Sequence, residues 1–488
     1  METLNSILGT VSNWLFGTIL IWLLIGVGLF FTIATRGVQL RHLGSIVRAV
    51  VGSRSGAQGG ISSFQAFAVG LACRVGTGNI VGVALALVLG GPGAVLWMWV
   101  VALVGTATAF AEASLGQLFK VRRGDGTFRG GPAYYLARGL HLPVVGGVFA
   151  VVFMIANGLA MPMVQANAMT AALGSAAGVS PWWGAAIVAL LVAPVLLGGL
   201  RSIARVTEWM APLMAIVYLL LVAVIIVTHP AQTLTAFGQI FAGAFELRAG
   251  LGGVAGGLTA AVLNGVRRGL FSNEAGLGGA ACAAGSATVA HPAQQGFIQA
   301  FGVLVDTLLV CTATALAILI AGVNDPAVYT PGVTGAQSTD ISGTLTQTAI
   351  ASTLGEWTSW PMTLLIIVLA YSTILGAFSY AEVCLDFLTR RAWVTTALRI
   401  GAVACTFIGG GAALTTVWTL ADVLLGIGAC LNLAGIVALW KWVAGMLRDW
   451  EDQRAQRPEQ APSFVAPGNA YLPHALPGDV WTGPSQHA

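Results

Sequence analysis

The chain has 488 residues, of which 57% are hydrophobic and only 8% are Asp, Glu, Lys or Arg, with a formal net charge of +4. A soluble domain carries about 25% charged residues, so the composition excludes a water-soluble globular fold. The small net charge, with no basic cluster interleaved with aromatics, excludes a nucleic-acid partner.

Apolar runs recur along almost the whole length, and a membrane-spanning helix needs about 20 mostly apolar residues. In chain order this predicts eleven spans, near 14–34, 62–90, 94–118, 144–173, 183–199, 210–228, 255–289, 297–322, 361–388, 396–411 and 415–440. The first run lacks a basic leader and a small-residue cleavage site, so it reads as a retained span and not a signal peptide. A basic stretch, 36–54, follows it and is expected along the inner face. The loop 323–345 is polar, lacks Lys and Arg and is expected outside. The chain divides into an extra N-terminal helix with its basic segment (1–60), a ten-helix core (61–441) and a polar, proline-rich tail (442–488) expected to be mobile in the cytoplasm. The 64 glycines suit close packing of helices in lipid. All six cysteines fall in apolar runs without metal-type spacing and read as small buried hydrophobes.

Basic residues fix the orientation. With the N-terminus outside and one crossing per span, the inner segments hold 18 of the 22 Lys and Arg, and the outer segments only Arg248. The other three, Arg74, Arg267 and Arg268, lie within spans. This is the asymmetry of the positive-inside rule, which a wrong span count would scramble.

Two spans are interrupted. The first span of the ten-helix core reads SSFQAFAVGLACRVGTGNIVGVALALVLGG (62–91), and the sixth reads LTAAVLNGVRRGLFSNEAGLGGAACAAGSA (258–287). Lipid cannot satisfy unwound backbone, so such breaks survive where they line a cavity or bind something. Breaks at the same place in two five-helix halves predict an inverted repeat with the binding site at the breaks. The first break is Arg74-Val75-Gly76-Thr77-Gly78-Asn79. Its inner half-helix, ending near Cys73, offers free carbonyls to a cation, and its outer half-helix, starting near Asn79, offers free N–H groups to an anion. The second break, Phe271-Ser272-Asn273-Glu274-Ala275-Gly276, repeats this with opposite polarity. A zwitterionic amino acid with a sodium ion beside it fits such ends. The plainer alternative for either cluster alone is a kink that allows close packing.

Longer motifs carry a family resemblance. VGTGNIVGVA (75–84), GGPGAVLWMWVVALVG (90–105), GGPAYYLARGL (130–140), PMVQANAM (162–169), RRGLFSNEAGLG (267–278) and HPAQQGFIQAFGVLVDTLLVCTATAL (291–316) resemble the alanine or glycine:cation symporters, the sodium/alanine symporters of the amino acid–polyamine–organocation superfamily. The resemblance covers most of 60–390. It implies an all-α membrane fold of the bacterial leucine transporter type, with five plus five inverted helices, two of them discontinuous, and one extra N-terminal helix. It also implies sodium-coupled, in some members proton-coupled, uptake of alanine or glycine across a plasma membrane. The chain departs from the family at Leu96, where Phe is usual, and at Gly279-Ala280-Ala281-Cys282, where a Ser-Ala-Pro-His-like run is common.

By this resemblance Thr77, Gly78 and Asn79 would hold the substrate carboxylate through backbone N–H groups. Phe271, Ser272 and Asn273 would receive the ammonium on carbonyls and wall the pocket. Gln165 is assigned to the pocket, while Asn167 fits the pocket or an interhelical hydrogen bond. The cation would lie between carbonyls near Cys73 and Gly76 and the hydroxyls of Ser372 and Thr373, although such hydroxyls also bond their own helix. Intramembrane charges are expensive and mark function. Arg74 and Glu274 are expected to pair across the breaks as a gate or brace, and Asp306, mid-span, joins them as a candidate partner for Arg267 or Arg268. Glu112 and Glu382 are expected to bond near the inner ends of their helices.

The reading is a secondary active symporter for a small neutral amino acid and sodium, with no cofactor beyond that coupling ion. Another small-solute carrier of the same fold is the nearest alternative. A channel is weaker, because VGTG occurs once whereas carbonyl filters use several equivalent loops. No GxxxxGK[ST] loop supports ATP coupling, and no HExxH, GxSxG or intramembrane histidine supports an enzyme.

Overall fold

The computed structural model describes residues 2–51, 60–245, 254–330, 337–412 and 415–483. Among these the protein is helical apart from one short hairpin. The first apolar unit is α1 (Glu2–Trp14), a π-helical turn (Leu15–Leu20) and α2 (Ile21–Ala34); α3 (Val38–Arg41) and α4 (Leu43–Val51) follow. The first broken span is α5 (Ser63–Arg74), a π-helical turn (Gly78–Gly82) and α6 (Val83–Gly90), bent by 47°. Then come α7 (Ala94–Leu118), strands β1 (Val121–Arg122) and β2 (Phe128–Arg129), and α8 (Pro132–Gly139). The chain continues through α9 (Pro143–Ile155), α10 (Met161–Ala177), α11 (Pro181–Leu197), α12 (Gly199–Thr228) and α13 (Pro230–Phe245). The second broken segment is α14 (Val254–Asn273) and α15 (Gly279–Gly285). After it come α16 (Pro292–Val303), a π-helical turn (Leu304–Cys311), α17 (Thr312–Asn324), α18 (Gln337–Leu354), α19 (Ser359–Leu388), α20 (Ala392–Gly411), α21 (Thr415–Ala438) and α22 (Trp440–Gln456).

Among the described residues eight helical units are long and apolar enough to cross a membrane, and nine when the bent pair counts as one span. Large apolar side chains on α12, including Trp209 (74% exposed) and Val227 (77%), face outward, as lipid contact requires. Starts are fixed locally. Ser62 and Gln65 form a capping box at α5 (3.0 Å both ways), and Pro opens α8, α9, α11 and α16. In the interior α5 packs against α12 and α19, α7 against α14 and α16, and α10 against α19 and α20. The first half of the broken helix is thereby held between α12 and α19. Of the landmark arginines, Arg54 and Arg248 lie outside the described residues. Helix α18 occupies the end of the stretch expected to be a polar loop.

The expected mobile tail is corrected by the structure. After α22 the segment 457–483 folds back over the arginine-rich end of the bundle. Phe464 (0% exposed) and Trp481 (3%) are buried. The Phe464 N–H donates to Ala290 O (2.9 Å), and Trp481 Nε1–H donates to Leu118 O (3.2 Å). The Lys120 ammonium sits 4.7 Å from the Trp481 ring centroid. Proline-rich polar composition suggested disorder, yet two aromatics suffice to anchor it. His291 Nδ1 caps α16 by accepting from the Ala293 N–H (3.1 Å), so its Nε2–H donates to Asp449 on α22 (3.0 Å).

Burial holds the His291 ring below its ordinary value of about 6.5, against the upward pull of Asp449. The unfolded chain therefore takes up this proton first. The packing of the neutral, buried ring contributes in full above about pH 6.5 and is lost as pH falls from there through the folded-state value. Limited proteolysis within 457–483 should be slow near pH 7.5 and faster near about pH 5.5 at matched protease activity, a difference that His291→Gln removes. Trp481→Ala should expose the segment at both pH values, because truncating a buried Trp costs about 3–5 kcal/mol. A wild-type tail cleaved rapidly at neutral pH would contradict this packing.

Candidate functional site

Helix α5 ends at Arg74, and the chain is non-helical at Val75 and Gly76 before the π-helical turn resumes at Gly78. The last carbonyls of a helix have no intrahelical partner. Here the Ala72 carbonyl accepts from Ser372 Oγ (3.2 Å) and Thr373 Oγ1 (3.3 Å) of α19, and both hydroxyls also reach their own Leu369 carbonyl (2.8 and 3.0 Å). Any side chain at position 76 would collide with Thr373 Oγ1, so only glycine lets the loop lie on α19 there. The Cys73 carbonyl is in the same cluster, 3.7 Å from the point where a Gly76 Cβ would stand. The four predicted cation-site residues are thus brought together. Ala72, whose carbonyl both hydroxyls meet, was missed, although it belongs to the same last turn.

Past the break, Thr77 Oγ1 donates to Gln165 Oε1 (3.0 Å) on α10. Gly78 is exposed, and a Cβ built there would meet nothing within 4 Å. The break therefore opens onto free volume beside the N–H groups that a helix start leaves without partners. Asn79 differs from expectation. Its N–H donates to Gly76 O (3.2 Å), its Oδ1 accepts from the Gly76 N–H (2.9 Å), and the residue is fully buried. That N–H is engaged within the loop and is not free for a carboxylate. Asn167 donates to Ala412 O (3.1 Å) and Gly409 O (3.4 Å), an interhelical contact.

The second break sits three residues later than expected. Phe271, Ser272 and Asn273 form the last turn of α14, and the unwound residues are 274–278. Glu274 (φ 54°), Gly276 (φ 90°) and Gly278 (φ 93°) take left-handed backbone, which glycine adopts without penalty. Asn273 Oδ1 accepts from the Ala275 N–H (3.0 Å), and one face of the Phe271 ring stacks on Phe16 of the N-terminal unit (5.1 Å between centroids).

This loop is held by a group that sequence reasoning misjudged. Glu112 of α7 is not at the interface but fully buried, and its Oε2 accepts from the Gly278 N–H (3.2 Å) and from Asn432 Nδ2 (2.8 Å). Asn432 of α21 also donates to Gly276 O (2.8 Å) and accepts from the Tyr135 hydroxyl of α8. Glu382 pairs with Arg399 at 2.7 Å.

The charges beside the breaks do not pair as expected. Arg74 and Glu274 are not within ion-pair distance. Arg74 Nη1 donates to Gln299 O (3.1 Å) and Oε1 (3.2 Å) on α16, while Glu274 accepts from Cys73 Sγ (3.2 Å) and Tyr380 Oη (3.4 Å). The side chains diverge because each finds a polar partner on a neighbouring helix. Arg74 also ends α5, where the helix dipole favours a cation.

Asp306 pairs with neither Arg267 nor Arg268. Fully buried, it accepts from Asn79 Nδ2 (2.5 Å), Ser272 Oγ (2.6 Å) and Thr307 Oγ1 (2.9 Å). It lies in the π-helical turn 304–311, whose i to i+5 spacing stacks Cys311 over it, so that Cys311 Sγ also meets Asn79 Nδ2 (3.3 Å) and Ser272 Oγ (3.0 Å). One carboxylate thus ties the first break to the last turn before the second.

A family model described as the sodium:alanine symporter family matches residues 1–466. The amino-acid carrier protein AlsT of Bacillus subtilis is 38% identical over 486 residues, 99% of each chain. The sodium/alanine symporter AgcS of Methanococcus maripaludis is 37% identical over 440 residues, 89% of this chain and 94% of its own. The probable sodium/glutamine symporter GlnT of B. subtilis is 37% identical over 454 residues, 93% of this chain and 92% of its own. Among solved structures, an outward-open, substrate-bound Na+-coupled sialic acid symporter superposes with a TM-score of 0.52 at 12% identity, covering 94% of this chain and 93% of that one, a likeness of fold.

If Asp306 is the hub joining the breaks, Asn79→Ala and Asp306→Ala should each destabilise the purified protein by on the order of 3 kcal/mol. Together they should cost about 1–3 kcal/mol less than their sum. Additivity within about 0.5 kcal/mol in a denaturation cycle would uncouple the two residues.

Proposed function

This chain belongs to the sodium:alanine symporter family, and from that premise we propose that it is a secondary active symporter in which inward sodium movement drives uptake of alanine or glycine. The family and the relatives are transporters, and the protein is a multi-pass membrane protein. The observation that carries the finer reading is the open volume at Gly78. It adjoins a helix start on one side and, on the other, a helix end whose Ala72 carbonyl already draws two hydroxyls.

In this reading the Thr77 and Gly78 N–H groups bind the substrate carboxylate and Gln165 orients Thr77. The carbonyls of the turn Phe271–Asn273 take the ammonium. Sodium sits among the carbonyls of Ala72, Cys73 and Gly76 and the hydroxyls of Ser372 and Thr373, hard oxygen ligands that need no carboxylate. Arg74, Glu274 and Asp306 brace the site from behind. Eleven crossings in a five-plus-five inverted repeat, with the N-terminus outside and the C-terminus cytoplasmic, accord with helices near every predicted span and with the arginine asymmetry. Alternating access then rocks one helix group about the fixed breaks.

The test is uptake of labelled alanine and glycine by the purified protein in proteoliposomes. Uptake should require an inward sodium gradient and stop when that gradient is collapsed, even with ATP inside. The pair Ser372→Ala/Thr373→Ala should raise the half-saturating sodium concentration roughly tenfold or more, the equivalent of about 1.4 kcal/mol. Gradient-independent uptake, or unchanged sodium dependence in the variant, would contradict the reading. Glutamine that competes better than alanine would move the substrate towards that of the glutamine carriers.

A further inference from the structure

At the arginine-rich end of the molecule a cavity of about 410 Å³ opens between the β1–β2 hairpin, α8 and the end of α19. Its floor is built around Asp386, which accepts from Arg123 Nη1 (2.7 Å) and Arg129 Nε (2.6 Å). Arg129 is buried, and its Nη1 is further fixed by the Phe128 carbonyl (2.9 Å). One carboxylate thus holds two guanidiniums in place. Two more arginines line the same cavity, Arg138 of α8 and Arg390 just past α19. Neither has a carboxylate within ion-pair distance among the described residues; the Arg138 guanidinium lies beside Gly478 of the folded-back segment. Four arginines against one aspartate leave the lining strongly cationic.

Apart from Thr389 and the Tyr134 hydroxyl, the rest of the lining is apolar. Tyr134 and Phe387 meet edge to face (5.2 Å between centroids), and Leu388 is 38% exposed where α19, an apolar span, ends. A cationic bowl therefore sits at the end of a membrane-crossing helix, with the exposed Leu388 on its lining. Arginines demanded only by membrane orientation need neither a cavity nor a buried anchoring carboxylate. Planar guanidiniums held at fixed angles match the oxygens of a phosphate, and basic pockets between membrane helices take phosphorylated headgroups.

We propose that this cavity binds the phosphate of an anionic phospholipid headgroup, with Arg138 and Arg390 as its ligands and the Asp386-anchored pair Arg123 and Arg129 setting the field behind them. The assignment goes beyond the transport reading and does not depend on it.

The test uses the full-length protein, purified and delipidated in neutral detergent, with bound lipid counted by native mass spectrometry and stability followed by thermal melting. Dioleoylphosphatidylglycerol should bind and raise the melting temperature, and dioleoylphosphatidylcholine should not. Arg138→Gln/Arg390→Gln, which leaves the Asp386 cluster intact, should weaken phosphatidylglycerol binding about tenfold. Arg138→Lys/Arg390→Lys, which keeps the charge but not the fork, should fall between and controls for folding of α8. If inorganic phosphate alone stabilises the wild type, displaces the lipid and spares the glutamine variant, the phosphate site stands and its ligand comes from solution. Equal phosphatidylglycerol binding by the wild type and the glutamine variant would overturn the proposal.

Discussion

A backbone amide or carbonyl cannot be left unpaired in hydrocarbon, and this constraint organises the interior of the protein. Both interrupted helices expose such groups in the middle of an apolar bundle. Several buried polar side chains near them answer those groups. Ser372 and Thr373 answer the Ala72 carbonyl, Asn79 answers the Gly76 N–H, and Thr346 of α18 answers the Ile80 carbonyl at 3.1 Å. Glu112 and Asn432 answer Gly278 and Gly276. The remaining backbone groups, at Thr77, Gly78 and the last turn of α14, are those we propose for the ligand.

The two breaks are stabilised differently, and the difference bears on motion. The first is supported from α19 and α10, the second from α7 and α21. Asp306 joins them across the gap through Asn79 and Ser272. A rearrangement of one break therefore reaches the other through the buried Asp306, through the direct Asn79–Ser272 hydrogen bond (3.0 Å) and through the contact of Cys73 with Glu274 (3.2 Å). The cost of burying that charge is offset by three short hydrogen bonds, since no cation lies within ion-pair distance of it among the described residues.

Much of this was legible in the sequence. Glycine and polar residues inside apolar runs marked both breaks, and the arginine distribution ordered the spans. The family resemblance assigned Thr77, Gln165, Ser372 and Thr373 to the site, and the structure brings them to the first break. The losses have physical causes. The second break lies at 274–278 because the left-handed backbone falls at Glu274, Gly276 and Gly278, while Ser272 and Asn273 stay helical. Glu112 was placed at an interface because position along a helix does not reveal a partner 166 residues away. The hub at Asp306 depends on a π-helical turn, which brings Cys311 under the same neighbours and leaves no compositional trace. Trp481 and Phe464 anchor a segment whose composition suggests disorder, because two buried aromatics outweigh many polar neighbours.

The central claim, that the free volume at Gly78 is the substrate site, has a direct measurement in equilibrium binding of labelled alanine, with sodium, to Gly78→Val. Because a Cβ added there meets nothing within 4 Å and the position is exposed, the variant should fold and melt like the wild type. It should nevertheless lose alanine binding, since the valine occupies the substrate's place. Alanine binding of wild-type affinity by a normally folded Gly78→Val protein would contradict the account.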